Sequence, residues 1–193
     1  MWLRDGLPID VPSIRTITYG YDTTLNDSES FQTVQDIAIS FVSRLAVAGR
    51  SSPSAKPIIF LAHSLGGIVL KHALLEMANS EPRRYIFEAV RAVVFFGVPH
   101  KGMQISHLRS LIDGQPNGTL VEDLGSESTY LRVLDDQFSG LAYQSVRIFS
   151  VFETKRSPTV QVSPIISFWL HVLTRHRNLS MAAGTEVNHP KLL

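Results

Sequence analysis

The chain has 193 residues, of which 44% are hydrophobic, and its formal net charge is +1. This length and composition fit one globular domain with a sizeable core, whereas two domains would be hard to accommodate. The near-neutral charge gives no overall field that would attract nucleic acid or anionic lipid, and no local basic patch is found. The absence of cysteine excludes disulfides, thiolate nucleophiles and cysteine-ligated metals.

The sequence indicates neither a metal site nor a membrane span. The seven histidines lack the spacing of helical zinc motifs, so we expect no metal and no cofactor. The N-terminal segment is charged where a signal peptide would need an apolar core. The longest apolar run outside the central motif, residues 165–173, is far shorter than the roughly 20 residues that cross a bilayer. We therefore expect an intracellular protein, with at most a peripheral membrane association.

The first predicted elements precede the central motif. Residues 1–12 form a short helical or irregular segment that prolines end. Residues 13–21 alternate apolar and polar side chains, which predicts a strand. After a polar loop, Ser30 is the predicted N-cap of a helix from Phe31 to about Ala48. The apolar face of this helix comprises Val34, Ile37, Ala38, Phe41, Leu45 and Ala46.

The central motif, residues 56–73, has the pattern of a strand that turns sharply into a helix. Ser64 lies at the turn, and the small residues Ala62 and Gly66 lie two positions before and after it. The G-x-S-x-G nucleophile elbow requires small residues at these places because its serine backbone is strained. The pattern therefore predicts Ser64 as a nucleophile. The alternative is a buried serine in a strand-to-helix turn that has no chemical role.

The remaining sequence continues the alternation of strands and helices. The elements predicted in chain order are a helix to about Asn79, a short helix at 85–88, a buried strand at 89–96, helices at 103–112 and 120–138, and a strand at 146–152. This alternation predicts an α/β fold with a mostly parallel sheet and helices on both of its faces. Ligands bind beyond the carboxyl ends of such strands, where Ser64, the 97–102 loop and Glu153 fall.

Five motifs in order resemble the lipase-like serine esterase domain of the α/β-hydrolase superfamily. They are Trp-Leu-Arg-Asp with Leu-Pro at 2–8, Thr-Tyr-Gly-Tyr-Asp at 18–22, Ala-His-Ser-Leu-Gly-Gly at 62–67, Phe-Phe-Gly-Val-Pro-His-Lys-Gly at 95–102 and Phe-Glu-Thr at 152–154. The chain is similar to the serine-active-site-containing (SERAC) family and to fungal hydrolase domains that often precede a NACHT module. The resemblance implies an α/β-hydrolase-like fold, an acyl-ester substrate, and a location near mitochondria, endoplasmic reticulum or associated membranes.

The resemblance also implies parts that differ in this sequence. In the family, a first strand and a His-Gly loop that supplies one oxyanion-hole amide precede the Trp-Leu-Arg-Asp segment, whereas this chain begins at Met1. After about Thr154 the sequence is atypical apart from Asn188-His189, a partial match to the segment with the triad histidine. We therefore expect missing first strands and a truncated or alternatively spliced product. The predicted domains are a partial hydrolase domain at 1–154 and a C-terminal segment at 155–193, which is the last strand and helix of that domain or is poorly ordered.

The candidate catalytic residues follow the order nucleophile, acid, base. Ser64 is the nucleophile, Glu153 is the acid because it follows a strand end, and His189 is the base because of its position and partial motif. The alternatives are a surface carboxylate at 153 and a tail residue at 189. The Leu65 N–H is the predicted oxyanion donor. Weaker candidates for the acid lie in helices or loops and are Asp113, Asp123 and Asp135.

Further residues are expected to shape the pocket without taking part in the chemistry, namely His63, Gly66, Gly97, Pro99 and His100. The His63 side chain is expected to pack away from the bond that is cut. His72 is expected in the core or on the surface. His171 and His176 become substitutes for the base only if the C-terminal segment folds back.

Two functions therefore stay open. The first is a serine hydrolase that acts on a small-molecule or lipid acyl ester through a Ser-Glu/Asp-His triad, with activity impaired if the chain is truncated. The second is a non-catalytic interaction or regulatory module derived from the hydrolase domain of a NACHT-type protein. A nucleotide-binding domain is excluded because neither a P-loop nor a G-x-G-x-x-G motif is present. The sequence does not define the oligomeric state.

Overall fold

A single parallel sheet organises the part of the chain that the structure describes. This part of the computed structural model comprises residues 5–24, 27–48, 56–142 and 146–152, all within one compact unit. The sheet has the order β1-β2-β3, with β1 at Ile58–His63, β2 at Val90–Phe96 and β3 at Arg147–Val151. His63 pairs with Phe96, and Phe96 pairs with Val151. The three strands therefore end at one edge, and the strands predicted around these positions are confirmed.

Helices precede and connect these strands. They are α1 (Leu7–Asp10), α2 (Val34–Val47), α3 (Leu65–Asn79), α4 (Arg84–Glu88), α5 (Ser106–Ile112), α6 (Gly118–Glu122) and α7 (Thr129–Ala142), with a 3-10 turn at Glu81–Arg83. The connection from β1 to β2 contains α3 and α4, and the connection from β2 to β3 contains α5, α6 and α7. These parallel connections confirm the predicted α/β fold with a parallel sheet.

The main core lies between one face of the sheet and helices α2, α3 and α7. The Phe60 ring of β1 lies 5.9 Å from Phe41 of α2, and the Phe95 ring of β2 lies 6.1 Å from Phe138 of α7. Successive right-handed crossovers in one direction along a sheet place their helices on the same face. Within the described residues the opposite face remains exposed, and its large apolar side chains are Ile59, Leu61, Phe96, Phe149 and Val151.

Helix α2 begins three residues later than the sequence predicts. Its N-cap is Thr33, which forms a capping box with Asp36, whereas Ser30 was the predicted cap. The Thr33 hydroxyl accepts a hydrogen bond from the Asp36 N–H (3.2 Å), and the Asp36 carboxylate accepts one from the Thr33 N–H (2.9 Å). These bonds hold the pKa of Asp36 below its usual value. Reciprocal capping favours the later start because it satisfies two backbone donors.

The prediction of a strand at residues 13–21 is wrong, because this segment pairs with no strand of the described sheet. Its aromatic residues attach it to helix α2 instead. The Tyr19 ring lies 4.8 Å from Phe41, and its hydroxyl donates to the Ile37 carbonyl at 3.3 Å. Ile14 and Ile17, which supplied the apolar alternation, are exposed.

The helix predicted at 120–138 is also wrong in extent, because the structure has two helices there, α6 and α7. The chain turns between them where Gly125 pairs with Met103 in an isolated parallel bridge. Gly102, at φ +80°, lies so close that a Cβ on it would be 2.3 Å from the Gly125 carbonyl oxygen. This contact ties the loop after β2 to the start of α7.

Candidate functional site

Ser64 lies where β1 ends and α3 begins, and its backbone has φ 50° and ψ −128°. Among the described non-glycine residues, Asp27 is the other one with positive φ. The Ser64 N–H donates to the Phe96 carbonyl at 3.0 Å, and the Ser64 carbonyl accepts from the Gly67 N–H at 3.0 Å. The Ser64 hydroxyl does not cap the helix. A strained serine at a strand-to-helix turn is the local geometry of a nucleophile elbow.

The backbone beside this serine can supply a hydrogen-bond donor. Leu65 is the first residue of α3, so its N–H is one of the helix N-terminal groups that have no intrahelical acceptor. The helix dipole adds partial positive charge at this end. The turn can therefore stabilise negative charge that develops next to the Ser64 hydroxyl.

Of the two glycines that follow Leu65, Gly67 lets the elbow pack closely, whereas the sequence motif directed attention to Gly66. A Cβ on Gly66 would lie 3.4 Å from the Tyr21 hydroxyl, which is an ordinary contact. A Cβ on Gly67 would lie 2.2 Å and 2.6 Å from the two methyl groups of Val98. Gly67 therefore joins the elbow to the loop after β2. The doubled glycine in the sequence was the signal that could have indicated this contact.

The loop at residues 97–102 lies along the same edge of the sheet. The Gly97 N–H donates to the Val151 carbonyl at 2.8 Å, which connects the start of the loop to the end of β3. Gly97 has φ +52°, whereas Val98 and Pro99 are buried. Ser64 and this loop thus follow neighbouring strands and are held by the same set of backbone hydrogen bonds.

His63 is exposed, so the expectation that its side chain packs is wrong. Its position on β1 places it on the same face of the sheet as Ile59 and Leu61, which helices of the described part do not cover. Its Nε2 atom would lie 3.9 Å from a Cβ built on Gly97. His63 therefore borders the start of the 97–102 loop.

His100 is a partly buried, neutral ring rather than an accessible base. Its Nδ1 atom is buried without a hydrogen-bond partner among the described residues, and its ring packs edge-on against Phe95 at 4.9 Å. Burial, followed by the positive charge of Lys71, lowers the pKa of His100 to about 3. At neutral pH the ring is uncharged and is a weak proton acceptor.

A buried ion pair, which the sequence did not predict, joins the elbow helix to α7. Lys71 Nζ lies 2.5 Å from Asp135 Oδ1, with side-chain exposures of 4% and 24%. The Lys71 Nζ atom also lies 5.2 Å from the centre of the Phe138 ring. Burial lowers the pKa of Lys71, while the Asp135 carboxylate acts in the opposite direction. Asp135, a weaker candidate for the acid, is therefore engaged by Lys71.

Other candidates lie apart from the elbow turn or outside the described residues. His72, which the sequence places in the core or on the surface, is half-buried, and its Nδ1 atom lies 3.1 Å from the Tyr130 hydroxyl. Burial, with a smaller effect of Glu122, raises the pKa of Asp123. Residues beyond the described part include Glu153, His171, His176 and His189. The structure thus brings together Ser64, Leu65, Gly66 and the 97–102 loop at one edge.

The described residues show neither a metal site nor a membrane span. They contain no group of three histidine, aspartate or glutamate side chains that could hold a metal ion. None of the helices they form has the length and apolar character to cross a bilayer.

Comparisons with known proteins found a matching family and several similar proteins. Residues 23–116 match the family described as "Putative serine esterase (DUF676)". Mouse Protein SERAC1 is 27% identical over 97% of this chain, and human Protein SERAC1 is 26% identical over 89%. The chain spans 29% and 26% of these two proteins. The relatives are animal proteins, so the likeness to fungal proteins stays a prediction.

A solved structure, the mature form of the Bacillus licheniformis lipase BlEst2, is similar with a TM-score of 0.43 and 18% identity. The similarity covers 62% of this chain and 47% of the lipase.

Proposed function

We propose that this chain, which carries a lipase-like serine esterase domain, hydrolyses acyl esters with Ser64 as its nucleophile. The observation that carries the proposal is the strained backbone of Ser64 at the junction of β1 and α3. Strain of this kind persists only where surrounding contacts hold it, and it clusters at functional sites. The small residues around the turn and the helix N-terminus behind it support the same role.

In the proposed reaction, Ser64 Oγ attacks the acyl carbonyl while a histidine accepts the hydroxyl proton. The carbonyl oxygen becomes an oxyanion, to which the Leu65 N–H donates. Loss of one oxyanion-hole donor typically costs about 2.7–4 kcal/mol of transition-state stabilisation. The histidine then protonates the leaving alcohol, and water hydrolyses the acyl-enzyme and regenerates Ser64.

For the other two members of the triad we propose Glu153 and His189. Glu153 comes two residues after Val151, the end of β3, whose carbonyl accepts from Gly97 at the edge that carries Ser64. Its chain position therefore favours it over Asp135, which Lys71 engages. His189 follows in the required order. His100 is a poor alternative base because its pKa is about 3.

The proposed substrate is a small-molecule or lipid acyl ester, which the match to a family of putative serine esterases supports. A place near mitochondria or endoplasmic reticulum is proposed from the resemblance alone. The chain spans 24–29% of the curated relatives, so the activity and partners of such longer proteins are also proposals for this chain.

A fluorophosphonate probe tests the proposal, because it reacts covalently with an activated serine. The wild-type chain is expected to label, Ser64→Ala is expected not to label, and Ser110→Ala, an exposed serine of α5, is the matched control. His189→Ala and Glu153→Gln are expected to label about 10²-fold more slowly or worse, as general-base loss predicts. Circular dichroism checks that each variant is folded.

Equal labelling of wild type and Ser64→Ala would reject the proposed nucleophile. A folded wild-type chain that neither labels nor hydrolyses short-chain and long-chain p-nitrophenyl esters would favour the non-catalytic interaction module instead. Normal labelling of His189→Ala would assign the base to another histidine.

A further inference from the structure

A partly buried polar cluster lies behind the elbow and has no part in the proposed chemistry. It comprises Lys71 of α3, Asp135 of α7 and His100 of the 97–102 loop, packed around the rings of Phe95 and Phe138. Lys71 Nζ is 2.5 Å from Asp135 Oδ1 and 5.2 Å from the Phe138 ring centre. Phe95 bridges the cluster, since its ring is 6.1 Å from Phe138 and 4.9 Å from His100.

Stability alone is a weak reason to bury this ion pair. Two charges lose their hydration inside a protein, and well-packed apolar residues of similar volume often replace such a pair without loss of stability. The same helix carries a second, partly exposed pair, Glu76 with Arg83 at 3.3 Å, which needs no such desolvation. The buried pair therefore calls for a positional explanation.

The position of Lys71 supplies this positional explanation, because helix α3, helix α7 and the 97–102 loop meet at its cluster. Lys71 is two helical turns after Ser64 on the helix that the elbow begins. One turn after Ser64, Gly67 lies against Val98 so closely that a Cβ would overlap it. A shift of α3 along or about its axis would therefore move the 97–102 loop.

We propose that Lys71 and Asp135 are positioning residues: their ion pair fixes the elbow helix α3 against α7 and, through the ring contacts from Phe138 to Phe95 and from Phe95 to His100, holds the 97–102 loop next to Ser64. The loss of turnover expected from this role rests on the proposed function, whereas the positioning of the loop can be tested without it. The charged groups of the cluster are Lys71 from α3 and Asp135 from α7. Lys101 follows His100 in the loop.

The test replaces the pair by apolar residues in the double variant Lys71→Met/Asp135→Leu and compares it with Glu76→Gln, which removes the exposed pair from the same helix. Both variants are expected to keep the thermal stability of the wild type or exceed it. The double variant is expected to lose about 10- to 100-fold in kcat, the loss that a misplacement of about 1 Å can cause, with little change in KM. Glu76→Gln is expected to match the wild type in both parameters.

Nuclear magnetic resonance provides a readout that does not depend on turnover. In the double variant, the backbone amide signals of residues 97–102 are expected to shift, and the pKa of His100 is expected to rise from about 3 because the positive charge of Lys71 is gone. The single variant Lys71→Arg keeps the charge and is expected to retain a low His100 pKa and partial turnover.

Unchanged loop signals and an unchanged His100 pKa in a folded double variant would overturn the proposal, as would a wild-type kcat. If the double variant does not fold, the loop signals and the kinetic parameters are measured in Asp135→Asn, which breaks the pair, and an unperturbed loop with wild-type turnover in this variant would also overturn the proposal. If the wild type itself fails to label with the fluorophosphonate probe, the proposed function fails, and the resonance shifts alone decide whether Lys71 and Asp135 position the loop.

Discussion

At the scale of single residues, the conformation of Ser64 has to be held by its neighbours. A non-glycine residue at a rarely populated backbone conformation typically costs about 1–3 kcal/mol. Two backbone hydrogen bonds oppose this cost, one from the Ser64 N–H to Phe96 and one from the Gly67 N–H to the Ser64 carbonyl. The second bond depends on Gly67, whose lack of a side chain lets α3 approach Val98. Gly67 is therefore the residue at which the elbow is most easily disturbed.

Gly67→Ala is expected to destabilise the protein by about 1–3 kcal/mol, the usual cost of overpacking a core. The new methyl would lie within 2.6 Å of both Val98 methyl groups and 3.0 Å from its Cβ, so rotation of the valine cannot relieve the overlap. Urea denaturation measures the loss of stability, and the fluorophosphonate probe measures whether Ser64 remains activated.

Two glycine variants are matched controls for this prediction. Gly66→Ala meets only the Tyr21 hydroxyl at 3.4 Å, so it is expected to cost less than Gly67→Ala. Gly140→Ala lies on α7 with open space around it and is expected to stabilise the chain by about 0.5–1 kcal/mol. A Gly67→Ala variant as stable as Gly66→Ala would contradict the close approach of α3 to Val98.

At the scale of elements, the sequence predicts best where apolar runs are long and bounded by turn residues. The strands at 58–63, 90–96 and 147–151 and the helix after Ser64 agree with the prediction within two residues. The segment at 13–21 has the alternation of apolar and polar residues that is typical of a strand. Alternation indicates only which side chains share a face, and it does not show that a neighbouring strand is available for pairing. Tyr19 packs on α2 instead.

The start of α2 gives a direct comparison between the sequence-based and the structural cap. Thr33→Ala removes the capping box and is expected to cost about 1 kcal/mol in the free energy of unfolding. Ser30→Ala, at the position that the sequence favoured, is expected to have a much smaller effect because Ser30 precedes the helix by four residues. Denaturant titrations of the two variants and the wild type measure both values. A larger loss for Ser30→Ala would place the cap at Ser30.

At the scale of the whole molecule, part of the site could be predicted and part could not. Ser64 and Leu65 are recognisable because the elbow is a local motif, and the strand ends that flank it are visible as apolar runs. The pair of Lys71 and Asp135 joins residues 64 positions apart, and neither has a local signal beyond a lysine within an apolar helix. Only the tertiary packing of α3 against α7 brings these two charges together and buries Lys71.

The burial of His100 makes the stability of the whole molecule depend on pH. Its folded pKa of about 3 lies below the ordinary value of 6.5, so the folded state prefers the neutral ring. The stabilising contribution is fully present above about pH 6.5 and is lost as the pH falls toward 3, with a slope of up to about 1.4 kcal/mol per pH unit. Burial also lowers the pKa of His72, so this histidine adds a further loss of stability as the pH falls.

His100→Phe removes this titration while keeping an aromatic ring against Phe95, so its stability is expected to fall less than that of the wild type between about pH 6.5 and 4.5. Urea denaturation across this interval measures the two slopes. The control is His107→Gln, an exposed histidine of α5, whose profile is expected to parallel the wild type. Parallel profiles for wild type and His100→Phe would mean that His100 gains its proton as readily in the folded state as in the unfolded state. The buried neutral ring beside Lys71 would then be an incorrect description of the loop.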